Sequence, residues 1–301
     1  MTFTIRPAIR EAVGLLIGVA GASGSGKTYS AMRIAKGIVG EGKRFAVIDT
    51  EGRRALHYAG MFDFDHLELG SPFRPERYAE AIKMVAERGY EAIVVDSMSH
   101  EWAGDGGILD WQEEEFQRMG AREAAKMASW IKPKLGHKKM VQALLQVRAH
   151  LILCFRAEPK IEMVKEDGKL VVREKQSLIG KGGWIPICEK NLPFELTVSF
   201  LLTPDKPGMP QPIKLQEQHK QMFPLDQPLT EESGKLIAAW AHGDTTPKTM
   251  ASAEKKLRDA ASLRQLEDAW KSLSLEEKAK YANLKDDMKL EIIEAETRAA
   301  Q

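Results

Sequence analysis

Residues 15–28 read Leu15-Leu16-Ile17-Gly18-Val19-Ala20-Gly21-Ala22-Ser23-Gly24-Ser25-Gly26-Lys27-Thr28, a short apolar run that breaks into glycine and ends in Lys-Thr. The last eight residues satisfy G-x-x-x-x-G-K-[ST], and the context is the one this pattern needs: a buried strand before it and a helix-forming stretch, 27–39, after it. Glycines let the backbone N–H groups turn inward around phosphate oxygens, and the start of the helix adds partial positive charge. Lys27 is then the cation for the terminal phosphates and Thr28 a hydroxyl ligand for magnesium. The expected ligand-binding set is Gly21, Ala22, Ser23, Gly24, Ser25, Gly26, Lys27, Thr28 and Tyr29, with ATP and Mg2+ as the ligands.

Further along, Phe45-Ala46-Val47-Ile48 ends in Asp49, Ala92-Ile93-Val94-Val95 ends in Asp96, and Leu151-Ile152-Leu153-Cys154-Phe155 leads to Arg156. Each is an unbroken apolar run of strand length, the pattern of a strand covered on both faces. Helical spacing separates them: Tyr78, Ile82 and Val85 within 75–88, then two more helices expected over Ile108–Ile131 and Lys138–Arg148. Strand and helix in alternation give an α/β fold with a mostly parallel central sheet flanked by helices, and place ligands at the carboxyl ends of the strands. Beyond residue 156, Asp167-Gly168 reads as a hairpin turn within 160–173, Phe194–Leu202 and Ile213–Leu215 as strands, and Glu231–Ala241 as a helix.

Asp96, closing an apolar strand, suits the Walker B task of orienting magnesium or its water. In AAA+ machines a glutamate follows that aspartate, whereas here Ser97 does, so the base that polarises the attacking water has to come from elsewhere. Glu51, two residues past the strand ending at Asp49, is the first choice. Glu101, further from its strand end, is the rival.

The whole chain has 301 residues, with 44 Lys and Arg against 43 Asp and Glu. That balance excludes a histone-like polycation. Two cysteines, Cys154 and Cys188, exclude a disulfide scaffold and lack zinc-ligand spacing, and the histidines show none either. The apolar stretch Leu15–Ala22 is far short of the roughly 20 residues that span a bilayer. A cytoplasmic protein without membrane contact is expected. Gly243-Asp244-Thr245-Thr246-Pro247 is a polar break. It divides the chain into a core, 1–242, a linker, 243–250, and a helical C-terminal module, 251–301, with Leu257, Leu263, Leu266 and Trp270 on helical spacing and Ser274 with Glu277 as a capping box. Phe3-Thr4-Ile5-Arg6 is expected to add an edge strand to an adjacent protomer.

Phe45 to Glu51, then Tyr58-Ala59, then Val94-Val95-Asp96-Ser97 resemble the RecA core, in which an acidic residue after the second strand is the catalytic base. Gly24 to Ala31 together with Asp96 to Trp102 resemble, more narrowly, the compact RecA-like ATPases of bacteriophages, including the Sak single-strand-annealing type, over about residues 13–240. The resemblance implies a RecA-like P-loop NTPase with Lys27 and Thr28 on phosphate and magnesium, Glu51 on water activation and Asp96 on the metal. It puts Arg156 where RecA proteins carry a glutamine that senses the terminal phosphate, which makes Glu51, Lys27 and Arg156 the catalytic set. Lys214 or Lys220 falls in the region from which RecA filaments send a lysine to the neighbouring subunit.

Residues 132–190 hold thirteen Lys and Arg against six Asp and Glu, a local excess in an otherwise balanced chain. The resemblance makes the loop after the Arg156 strand a single-stranded-DNA loop, with Lys160, Lys165, Arg173, Lys175 and Lys181 for phosphates and Trp184 for a base. The leading expectation is thus a phage or prophage ATP-dependent recombination protein, hydrolysing ATP with magnesium, binding single-stranded DNA, promoting annealing or strand pairing in the bacterial host cytoplasm, and assembling as a filament or ring. The alternatives are a nucleotide-switched module that recruits a partner such as a single-strand-binding protein, and a helicase-loading or translocating ATPase.

Overall fold

The computed structural model describes residues 13–166, 169–174, 183–242, 257–260, 262–273, 278, 281–290 and 292. The described residues fall into two compact units that divide between His242 and Gly243.

In the first unit the apolar runs form the strands β1 (Leu16–Gly21), β2 (Phe45–Asp49), β4 (Ala92–Asp96) and β5 (His150–Pro159), with β3 (Phe64–Glu68) between β2 and β4 in the chain. Later come β6 (Ile161–Glu166), β7 (Lys169–Glu174), β8 (Trp184–Pro186), β9 (Val198–Thr203) and β10 (Lys206–Lys214). The main sheet runs β10-β9-β1-β5-β4-β2-β3, parallel from β9 to β3, with β10 antiparallel at one edge and β8 pairing antiparallel with the end of β5. Strand β5 therefore lies between β1 and β4. Its register sets Gly21 beside Arg156 and Cys154 beside Asp96, while Asp96 pairs in turn with Asp49, so the chemistry-bearing strand ends share one rim.

Helices α1 (Lys27–Val39) and α7 (Glu231–Ala241) cover one face, and α2 (Pro75–Glu87) and α5 (Ile131–Leu144) the other. The two-residue period of the strands divides the core accordingly: Ile17 and Val19 join the α1 layer, Leu16 and Ala20 the α2 layer. His150 closes the lower end, where its Nδ1 accepts the Leu15 N–H at 3.1 Å, and burial lowers its pKa to about 4, so the ring is neutral in the fold.

Three sequence expectations change. The helix expected over Ile108–Ile131 is broken: α3 (Ser99–Ala103) and α4 (Ile108–Arg118) precede a turn with positive φ at Gly120 and Ala121, and short 3-10 turns lead into α5. The next helix starts at Ile131 and ends at Leu144, earlier than expected, and Pro133 is compatible with that start because it lies in the first turn, where no intrahelical N–H bond is lost. The strand expected over Phe194–Leu202 is a short helix α6 (Leu192–Glu195) followed by β9. Strand β3 gave no signal, since this edge strand, Phe-Asp-His-Leu-Glu, is mostly polar, neither alternating in polarity nor carrying a continuous apolar run. The hairpin is present as β6 and β7, with its turn outside the described residues.

Helices α1 and α7 approach so closely that a Cβ on Gly37 would lie 1.9 Å from the Glu231 carbonyl oxygen, and one on Gly234 would lie 2.1 Å from that of Ile34. Arg33 clamps the same crossing by a two-pronged bond to Glu231, at 2.9 and 2.8 Å from Nε. Gly37→Val is therefore expected to destabilise the fold by about 3 kcal/mol, at the upper end of the overpacking range. Urea unfolding checks this, and an unchanged midpoint would show that the helices can separate without cost.

The second unit contains α8 (Leu263–Lys271), capped by Ser262 Oγ accepting the Gln265 N–H at 3.3 Å, and helical residues 281–290. Leu257, Leu266, Leu273, Tyr281, Met288 and Ile292 form its own apolar cluster. Residues 1–12, the linker and the Ser274–Glu277 capping box lie outside the described residues. Among the described residues no helix is long and apolar enough to cross a membrane.

Candidate active site

A cleft of about 630 Å3 opens at the carboxyl ends of β1, β2 and β4, within the size range of small-molecule sites. Its floor is the glycine loop. Gly24 and Gly26 have φ of 79° and 80°, a backbone that only glycine takes without strain, and α1 starts at Lys27 with no side chain capping its first N–H groups. Those donors are left for a ligand anion. Ala22, Ser23, Gly24, Gly26, Lys27 and Thr28 line the cleft. Ser25 instead turns inward, its hydroxyl donating to the Ala22 carbonyl at 2.8 Å, and Gly21 sits beneath it at the end of β1. Tyr29, expected among the ligand-binding residues, does not line the cleft. On α1 it packs against Tyr58 and Phe62, with the Arg33 guanidinium over its ring.

Asp96 lies across from the loop. Its Oδ2 accepts the Thr28 hydroxyl at 2.5 Å, and its Oδ1 is buried with no hydrogen-bond partner among the described residues. Burial pushes this carboxyl up, while the Lys27 charge and the Thr28 hydroxyl pull it back. A buried carboxylate oxygen left open beside a serine-type hydroxyl and a phosphate cradle is the donor set that suits a magnesium ion sharing its shell with phosphates and water. Thr28 and Asp96 are the residues that would hold it.

Glu51 reaches the same cleft from the loop after β2. Asp49 shapes that loop: its carboxylate accepts the N–H of Glu51 at 2.7 Å and of Ala55 at 3.0 Å, and lies 3.1 Å from His66 Nε2. Thr50 ties it to β4, with its N–H on the Asp96 carbonyl at 2.7 Å and its hydroxyl accepting the Ser97 N–H at 2.8 Å. The Glu51 side chain is only 8% exposed, and both oxygens face arginines: Oε1 accepts Arg156 Nε at 2.8 Å and Oε2 lies 3.4 Å from Arg54 Nη1. Burial raises its pKa, but the Arg156 hydrogen bond and charge, backed by Lys27, outweigh burial and leave the carboxyl below its ordinary range. Arg156 is held in turn through its own N–H, which donates to Ser99 Oγ at 2.8 Å.

The structure thus brings Lys27, Thr28, Glu51, Asp96 and Arg156 to one rim. Glu101 is not there: it is 1% exposed and bonded to His137 Nδ1 at 2.9 Å, which removes the rival base. Lys214 is occupied by the Phe194 and Leu196 carbonyls, both at 2.6 Å, and Lys220 by Glu217 at 2.6 Å. Sequence reading assigned no role in the cleft to Arg54, His57 or Tyr58 on its wall, nor to Asp49 in shaping the loop after β2. Only Asp49 had a local signal, a strand-ending aspartate able to bond the N–H two residues on.

A family model described as an AAA domain matches residues 14–179, the span from the start of β1 to just beyond β7. The chain belongs to the AAA domain family. No curated protein matches it. The AAA domain is a P-loop ATPase fold, and the family points to nucleotide hydrolysis.

The DNA-loop residues are a separate matter from this AAA domain's cleft. Lys175 and Lys181 lie outside the described residues, and of Lys165 only the backbone in β6 is described. Lys160 pairs with Glu158 at 3.0 Å, and Arg173 pairs across the hairpin with Glu162 at 3.1 Å. Trp184, expected to be exposed, is half-buried in β8 against the α2-side core.

Proposed function

We propose that this AAA domain is a magnesium-dependent ATPase that acts on single-stranded DNA, in the manner of the phage RecA-like recombination ATPases of the Sak type, promoting annealing or strand pairing. The observation that carries the ATPase half is the Thr28–Asp96 contact at 2.5 Å beneath a glycine cradle, with Glu51 on the opposite wall of the same cleft. In this reading the loop N–H groups and Lys27 hold the β- and γ-phosphates. Magnesium, when bound, neutralises phosphate charge as it develops. Glu51 orients the attacking water and takes up its proton at a carboxylate oxygen, and Asp96 keeps Thr28 in place. Arg156 lies in the central strand β5 where its parallel pairing with β1 ends, within reach of the cleft, and its cation serves the terminal phosphate once it leaves Glu51.

Support for the DNA half is the basic excess in residues 132–190 and the resemblance carried by residues 24–31 and 96–102. A base held in an ion pair before the polymer arrives favours low turnover in the absence of DNA. Phosphate release measured with and without oligothymidylate tests both halves at once. Magnesium-dependent hydrolysis that rises with the oligonucleotide is expected. Hydrolysis indifferent to DNA would remove the recombination role, and negligible hydrolysis under both conditions would favour the nucleotide-switched binding module.

A further inference from the structure

A pair of tryptophans lies elsewhere on the first unit, apart from the hairpin and Trp184. Trp102 on α3 and Trp130, at the entrance to α5, stack with ring centroids 6.1 Å apart and planes 23° apart. Both are half-buried, so part of each ring is open to solvent. They line a cleft of about 550 Å3 with Met127, Ile131, Lys134 and Lys190. Met127 and Ile131 are 82% and 66% exposed, and the Lys134 ammonium lies 5.6 Å from the centre of the Trp130 ring.

Charge selects the occupant. Helix α5 carries Lys132, Lys134, Lys138 and Lys139 and no acidic residue. Lys132 is taken up by Glu115 at 3.1 Å, whereas Lys138, Lys139 and Lys190 have no ion-pair partner among the described residues. The one carboxylate in the cleft, Glu189, is turned back on Asn191, accepting its N–H at 2.6 Å and facing its side-chain nitrogen at 3.3 Å. Flat apolar surface flanked by uncompensated cations fits a chain that offers a planar ring and a negative charge at every step.

We infer that the Trp102–Trp130 cleft, with Lys134 and Lys190 on its rim, is a subsite for single-stranded DNA, a base stacking on the tryptophans and the adjoining phosphates meeting the two lysines. This rests on the DNA-binding reading above and moves its centre from the hairpin to the α3–α5 surface. The location also joins the polymer to the hydrolytic rim. Trp102 follows Asp96 by six residues, Ser99 at the start of the same short helix accepts the Arg156 N–H, and Glu101 bonds His137 of α5.

The test is fluorescence anisotropy of labelled oligothymidylate of about 16 nucleotides, titrated with the full chain over a range of salt. Trp130→Ala is expected to weaken binding roughly 10- to 100-fold, and Trp130→Phe to keep most of it. Lys134→Ala is expected to flatten the slope of log affinity against log salt by about 0.7, the share of one phosphate contact on a single strand. Hydrolysis without DNA should stay at the wild-type rate in all three variants. If wild type binds but Trp130→Ala and Lys134→Ala match it in affinity and slope, the cleft is not the subsite although the DNA reading stands. If wild type binds no oligothymidylate, that reading fails and the subsite with it. Lys134 is exposed, so its variant answers the question even where Trp130→Ala fails to fold. Variants that alter the assembled mass in light scattering while leaving DNA binding intact would identify the cleft as a protein contact and overturn the proposal.

Discussion

Glu51→Gln is expected to bind ATP as well as the wild type and to hydrolyse it two to four orders of magnitude more slowly, the usual contribution of a positioned general base. That loss corresponds to about 3–5 kcal/mol of transition-state stabilisation. Glutamine keeps the size of the side chain and an oxygen for Arg156 Nε, so the walls of the cleft survive, but it cannot accept the proton of the attacking water. Single-turnover phosphate release alongside equilibrium binding of a fluorescent ATP analogue separates the two effects. Normal hydrolysis in this variant would show that another group activates the water. A second arm follows from the ion pair. Arg156 holds the Glu51 carboxyl low, and burial pushes the other way, so Arg156→Ala lets its pKa rise. The base works only when deprotonated, and activity falls as pH drops through its pKa. The acid limb of the pH–rate profile in Arg156→Ala is accordingly expected at higher pH than in wild type. A limb that does not move would mean that Glu51 is not the group being titrated.

Lys27→Ala is expected to abolish measurable hydrolysis and, unlike Glu51→Gln, to weaken ATP binding as well. The ammonium serves bound phosphate in the ground state and the charge that develops on it, and removal of one such donor costs about 10²–10³ in rate. It also acts inside the protein. Lys27 is the largest influence holding the buried Asp96 carboxyl down against desolvation, so without it Asp96 is driven further toward its neutral form. A neutral acid is a poor partner for magnesium, and the variant should therefore need more of the ion even for the ATP it still binds. Magnesium titrations of nucleotide binding in wild type and Lys27→Ala check this, and an identical magnesium requirement would uncouple Lys27 from Asp96.

Much of the fold could be read from local pattern, because a doubly covered parallel strand has to be apolar at every position. Ile17–Ala20, Phe45–Ile48, Ala92–Val95 and Leu151–Phe155 all have this form, and all are buried. The failures have equally local reasons. Apolar spacing continued across Met119–Ala121, but positive φ at Gly120 and Ala121 ends the helix there, and the edge strand β3 has too few buried faces to leave an apolar run. In the cleft, distance from a strand end already ranked Glu51 above Glu101, and packing adds the physical reason: Glu101 turns into the core to meet His137 while Glu51 stays on the rim.

From sequence alone came the glycine cradle with Lys27 and Thr28, and the aspartates that close two strands. Both are local chemistry: the backbone turn, the helix start and the strand end are each dictated by a handful of neighbouring residues. Strand order was decided only by the tertiary structure. By inserting β5 between β1 and β4, it brings Arg156 to Glu51 across 105 positions of chain, and by folding the 3-10 turn before α5 back onto α3 it stacks Trp130 on Trp102. Such pairings depend on which surfaces bury each other, a property of the whole packed core that no single stretch of residues carries.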